Sequence, residues 1–209
     1  MRAACHAIGQ IRVLTLSLAL CLAEAPGLAS AADFSDPDWP CIQRKVENLS
    51  ASLMWPATVT RVPLKPAAND LVEVLSLRRV SLEEAESQVQ AFFEKTGPVD
   101  GQLIGNIFLG VFEKIAHSRQ RLIAGIARYS RSQIALASRI DGSRSEMAKL
   151  EHEKSPDFDR IDKLEEQIDW DERIYRERAQ ALTYVCETPV LLEKRAYAIA
   201  QILLKHLPD

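Results

Sequence analysis

Apolar side chains recur at spacings of three and four residues along most of this chain, the signature of helices that each bury one face. The longest run is Phe108, Phe112, Ile115, Arg119, Leu122, Ile126, Tyr129, Gln133, Leu136, Ile140, Ser143, Met147 and Leu150, with ten of its 13 positions apolar. A 4-3 repeat held that long predicts coiled-coil packing, because a period of 3.5 keeps one seam against one partner. A second run, Ile161, Leu164, Ile168, Asp171, Tyr175, Arg178, Leu182 and Val185, is apolar at six of eight positions. Between the two, Ser155-Pro156 offers an N-cap with Pro at the first helical position. Folding back there sets Leu150 against Ile161, Met147 against Leu164, Leu136 against Tyr175, Tyr129 against Leu182 and Ile126 against Val185, with Gln133 opposite Arg178. The pattern thus predicts an antiparallel coiled-coil hairpin with arms at 113–154 and 157–187. Asp171 falls opposite Ile140, a misfit that Trp170 and Ile174 would resolve by a local change of phase.

Charge supports the pairing. Lys114 to Arg144 holds seven Lys or Arg and one Asp, whereas Glu146 to Arg178 holds twelve acids and seven bases. A basic arm lies along an acidic one, with Arg139 beside Glu172 and Lys149 beside Asp162. Exposed pairs of this kind are worth only about 0.2 to 1 kcal/mol each, so they select partner and register while the apolar seam stabilises. The same complementarity permits a homodimer through the hairpin, one chain's basic arm taking another's acidic arm.

The flanking sequence predicts a helical base. Leu71, Val74, Leu75 and Val80 fit a helix from Ala67, Ser81-Leu82-Glu83-Glu84 is a capping box, and Gly97-Pro98 is a stop. Asp100 can cap the long helix, and Pro189 opens a last one with Leu192, Ala196, Ile199, Ala200, Leu203 and Leu207 on one side. Leu103 to Phe112 is apolar nearly all round, so it belongs inside a bundle, with Gly105 and Gly110 allowing close approach. Pro37, Pro40, Pro56, Pro63 and Pro66, with Trp39 and Trp55, make 32–66 an irregular arm whose one candidate helix is Cys41 to Asn48. The expected fold class is all-α, a small helical bundle with the projecting hairpin, dividing into 1–31, 32–66 and 67–209.

Residues 1–31 read as an address. Arg2 and Arg12 precede the apolar run Val13 to Ala23, and Ala29-Ser30-Ala31 suits a signal peptidase, predicting cleavage after Ala31. The run is too short for the roughly 20 residues of a membrane helix, so no transmembrane anchor is expected. Leu18-Ala19-Leu20-Cys21 fits a lipobox poorly because a bulky Leu precedes the cysteine. The expected location is the periplasm. Cys5 and Cys21 leave with the signal, and the remaining pair, Cys41 and Cys186, predicts a disulfide in that oxidising compartment.

The chain carries 26 Lys plus Arg and 29 Asp plus Glu, a net charge of -3, which gives no reason to expect a nucleic-acid partner. Candidate chemistry is sparse. Glu165-Glu166 and Asp169 to Glu172 lie on a solvated helical arm, and His117, His152 and His206 have no ligand spacing with either cysteine. Neither a G-x-S-x-G frame, an H-E-x-x-H pair nor a glycine-rich phosphate loop occurs. The basic run Lys114, Arg119, Arg121, Arg128, Arg131, Arg139, Arg144 could hold an anion, but pairing with the acidic arm is simpler. Asn48-Leu49-Ser50 matches a glycosylation sequon, relevant only in a eukaryotic host. No catalytic residue, cofactor site or metal site is therefore assigned. The expected function is a non-enzymatic exported protein working by contact with envelope proteins, as an adaptor, chaperone-like or structural factor. The alternative is a binder of a small apolar ligand or lipid, using a basal cavity near Phe108, Phe112 and Leu203.

Overall fold

Helices begin where side chains can satisfy the free N–H groups of a first turn. The structure, a computed structural model, describes residues 36–97 and 100–208; the expected signal segment 1–31 lies outside them. Four helices follow one another: α1 (Pro66–Ser76), α2 (Leu82–Thr96), α3 (Gly101–Glu151) and α4 (Phe158–Leu204). The Ser81 hydroxyl accepts from the Glu84 N–H at 3.1 Å to open α2, and the Asp100 carboxylate accepts from the Leu103 N–H at 2.7 Å to open α3. Gly97 ends α2 with φ +77°, in the left-handed region where a side chain is strained. The fold is all-α, with no strand among the described residues. No helix among those residues is long and apolar enough to cross a membrane.

The base forms around the apolar start of α3. Ile104, Ile107, Phe108 and Val111 are fully buried with Leu75 of α1, Val89 of α2, and Ile199 and Leu203 of α4. The two glycines have separate partners. A Cβ on Gly105 would lie 2.5 Å from Val59 Cγ2, and one on Gly110 would lie 3.1 Å from Val72. Gly105 therefore admits the N-terminal segment and Gly110 admits α1. The Trp55 ring stacks on Phe108 at 4.9 Å between centroids.

The N-terminal segment is irregular apart from one 3-10 turn, Ala51–Leu53, and residues 41–48 hold a bend at Ile42 and Gln43 and otherwise no regular structure, rather than the short helix considered for them. Two side-chain amides of α3 hold it. Gln102 accepts from the Thr60 N–H and donates to the Thr58 carbonyl, while Asn106, four residues on, accepts from the Val62 N–H and donates to the Thr60 carbonyl. The backbone of 58–62 thus finds partners without a neighbouring strand.

Helices α3 and α4 run antiparallel, and the turn between them differs from the expected one. Asp157, not Ser155, caps α4, its carboxylate accepting from the Arg160 N–H at 3.0 Å. A carboxylate placed directly before the helix outcompetes a serine two residues earlier, which leaves Pro156 outside α4. The register moves accordingly. Gln133 donates to the carbonyl of Tyr175, not toward Arg178, and the Tyr129 hydroxyl donates to the carbonyl of Arg178. The 13 positions of the α3 seam are all buried or half-buried. At two of them the most buried side chain is one residue on, Ile123 rather than Leu122 and Ser130 rather than Tyr129.

Pro189 does not open a separate helix: α4 continues through it. Proline removes one helical N–H, here the donor to the Val185 carbonyl, and Val185 is exposed, so water can replace it. Pro189 itself is buried, as are Cys186 and Leu192 on either side of it, so the helix continues where local preference would place a helix start.

Candidate interaction surface

Among the described residues three charged side chains, Arg119, Asp171 and Arg195, are buried, and each is used structurally. Arg119 of α3 donates from Nε to the Pro189 carbonyl and from Nη1 to the Glu47 carbonyl, both at 3.3 Å, and its Nη2 lies 4.0 Å from the Glu193 carboxylate. One guanidinium thereby joins α3, α4 and the N-terminal segment. Burial lowers its pKa, partly offset by Glu193. Arg195 of α4 donates from Nε to Leu75 O at 3.0 Å and from Nη1 to Val80 O at 2.7 Å, closing the connection between α1 and α2; burial lowers its pKa also. Its Nη2 is buried with no acceptor among the described residues. Beside it lies a cavity of about 290 Å³ lined by Arg78, Leu82, Leu191, Lys194 and Arg195.

Asp171, the expected misfit, is the third. It accepts from Nε and Nη2 of Arg139 at 2.8 and 2.6 Å, a two-pronged pair that seats a carboxylate in the seam. The seam beside it keeps its apolar residues, Leu136, Ile140 and Ile168. The expected Arg139 to Glu172 contact is replaced by this pair, and Glu172 instead binds Arg144 and Arg176. Near the turn the polarity reverses, with Arg160 of α4 on Glu146 of α3 at 2.7 Å. The expected Lys149 to Asp162 pair is not among the described ion pairs; Arg160 on Glu146 is the contact formed near the turn.

Cys41 and Cys186 are joined, with Cα atoms 5.5 Å apart. Trp39 and Cys41 cover Ile123, Ile126 and Cys186, and Arg131 binds Asp38 at 2.6 Å. One side of the α3–α4 pair is therefore closed by the N-terminal segment. Another part of the junction holds an open groove of about 380 Å³ lined by Ser118, Arg121, Leu122, Gly125, Ile126 and Val185. Farther out, the described side-chain bonds and buried clusters of 133–151 and 158–178 link only α3 with α4, apart from local bonds within each helix and turn.

The residues considered for chemistry are scattered. Phe108 and Leu203 are fully buried and Phe112 nearly so, Phe108 beneath Trp55 and against Phe112. Glu165, Glu166, Asp169, His117 and His152 are exposed, and His206 lies against Phe93. No three His, Cys, Asp or Glu side chains among the described residues could together hold a metal ion. Of the basic run, Lys114 binds Glu73, Arg119 is buried, and Arg131, Arg139 and Arg144 are paired as above. Arg121 and Arg128 flank the groove side of α3 with no ion pair among the described ones. No protein-family model, no curated protein and no solved structure matches this chain.

Proposed function

We propose that this is an exported, non-enzymatic protein of the cell envelope that acts by protein–protein contact, with the α3–α4 hairpin as an adaptor or chaperone-like arm. The observation that carries this reading is the groove along Leu122, Gly125, Ile126 and Val185, apolar along its floor and with Arg121 at its edge. A groove of this kind between two helices suits an amphipathic segment with acid on its flank. The fate of the buried charges supports the non-enzymatic part: Arg119 and the Arg139–Asp171 pair hold carbonyls or one another, and Arg195, whose cavity is lined by Arg78, Leu82, Leu191 and Lys194, has no nucleophile or base beside it there. The Cys41–Cys186 bond favours an oxidising compartment, and the sequence of 1–31 favours export through a cleaved signal.

Site-specific photocrosslinking in the native host tests this. A photoreactive residue at Ser118 or Gly125 is expected to give one discrete protein adduct, and at exposed Glu84 on α2 none. Charge reversal of Arg121 and Arg128 together should weaken the adduct by roughly tenfold or more. Absence of an adduct at both groove positions, or an equal yield at Glu84, would overturn the proposal. The intact mass of the exported protein should begin at Ala32.

A further inference from the structure

Helix α4 carries a second 4-3 row of residues beside its inner seam, bordered at Ile174 by the cluster of Leu136, Ile140 and Ile168 and open to water at most of its other positions. Trp170, Ile174, Glu177, Ala181, Tyr184, Thr188 and Leu191 follow one another at alternating spacings of four and three, spanning 22 residues, or about 32 Å of helix. The inner seam of the same helix runs through Leu164, Ile168, Asp171 and Leu182, and meets α3. On the outer row Trp170 is 61% exposed, Tyr184 75% and Leu191 45%, while Ile174 and Thr188 are half-buried. A row at this spacing is what a helix presents to another helix, and large aromatics left open to water along it mark an interaction surface.

The charges beside the row say which helix. At seven-residue intervals along one edge stand Glu166, Arg173, Gln180, Glu187 and Lys194, all exposed, and none of the four charged members has an ion pair among those described. Read backwards, the series puts base where there was acid and acid where there was base, with the neutral glutamine at its centre. That is the symmetry of a helix pairing with its own copy in the antiparallel direction, in which like flanking positions face each other across a two-fold axis.

We propose that the outer row of α4 is the interface of a homodimer, two copies pairing antiparallel about an axis at Gln180. Glu166 then faces Lys194 of the second copy, Arg173 faces its Glu187, and the two Gln180 side chains meet. In that register Ile174 packs on Tyr184 of the second copy, Trp170 on its Thr188 with the indole extending toward its Leu191, and Glu177 passes beside its small Ala181. Glu166 reaches the cavity at the base of the other copy, whose lining holds Arg78, Lys194 and Arg195 and no acid; the carboxylate supplies the counter-charge that these three cations lack. The pairing uses a face of α4 distinct from the Arg121-edged groove and stands or falls independently of the partner proposed for that groove.

Sedimentation equilibrium and native mass spectrometry of the purified protein test this. The unaltered protein is expected to be a dimer at tens of micromolar. Arg173→Glu or Glu187→Arg alone should each weaken dimerisation by roughly tenfold or more, since the symmetric interface repeats every pair. The double variant should return to within about threefold of the parent, which only a contact between these two residues can produce. Ala181→Glu, on an exposed position, should give a monomer with unchanged circular dichroism, by setting carboxylates near Glu177 of the second copy. A parent protein monomeric at about 100 micromolar, single reversals without effect, or a double variant no better than the singles would overturn the proposal.

Discussion

The guanidinium of Arg119 donates to the carbonyl of Pro189, 70 residues farther along the chain. A second nitrogen of the same group serves Glu47, so removing the side chain leaves two carbonyls of different segments without their donor at a buried junction. Arg119→Ala is expected to cost about 2 to 4 kcal/mol of unfolding free energy, measured by urea denaturation. Arg119→Lys should recover less than half of that, because an ammonium cannot present the two donors in the same fork.

Gly105 sets how closely the N-terminal segment approaches α3. Gly105→Ala forces the new methyl into Val59, 2.5 Å away, and should destabilise by about 1 to 3 kcal/mol despite the better helix propensity of alanine. Val59→Ala in the same chain should relieve most of the loss, a non-additivity of about 1 kcal/mol or more in a double-mutant cycle. Gly110→Ala, facing Val72 at 3.1 Å, should cost less.

The bond from Cys41 to Cys186 spans 145 residues. Replacing both cysteines by alanine should lower stability by about 2 to 5 kcal/mol through the freedom returned to the unfolded chain. Thermal melts with and without a reductant check it: the reductant should lower the melting temperature of the parent and leave that of the double variant unchanged.

Two surface carboxylates titrate below their ordinary values. Asp36, ordinarily 3.8, is lowered by the hydrogen bond from the Lys45 ammonium and then by the Asp38 N–H. Glu83, ordinarily 4.5, is lowered by a backbone hydrogen bond at the start of α2 and by the Ser81 hydroxyl. A depressed folded value means that stabilisation is complete above the ordinary value and is lost as pH falls through the folded one. The melting temperature of Asp36→Asn or Glu83→Gln should therefore lie below that of the parent near pH 6 and converge with it as pH falls through the lowered folded values.

Much of this architecture is legible locally. Ser81 and Asp100 announce helix starts because a cap is made within three residues, and the seam from Phe108 to Leu150 is legible because burial repeats. The pair of glycines signals close approach, though not of what. Other features depend on distant chain. Gln102 and Asn106 look like ordinary polar helix positions until residues 58–62 lie on them. Pro189 is a helix start by local preference and a helix interior by packing. Asp171 looks like a flaw in the α4 seam because its partner, Arg139, stands one place off the α3 seam. Of the two residues that suggested a slipped phase, Ile174 packs against the seam at Leu136, Ile140 and Ile168, while Trp170 stands open to water.

Because α4 is unbroken from Phe158 to Leu204, about 70 Å of continuous helix joins the far turn to the buried floor beside Leu203. The cross-link at Cys186 and the Arg119 clasp at Pro189 pin that single rod to the rest of the chain partway along its length.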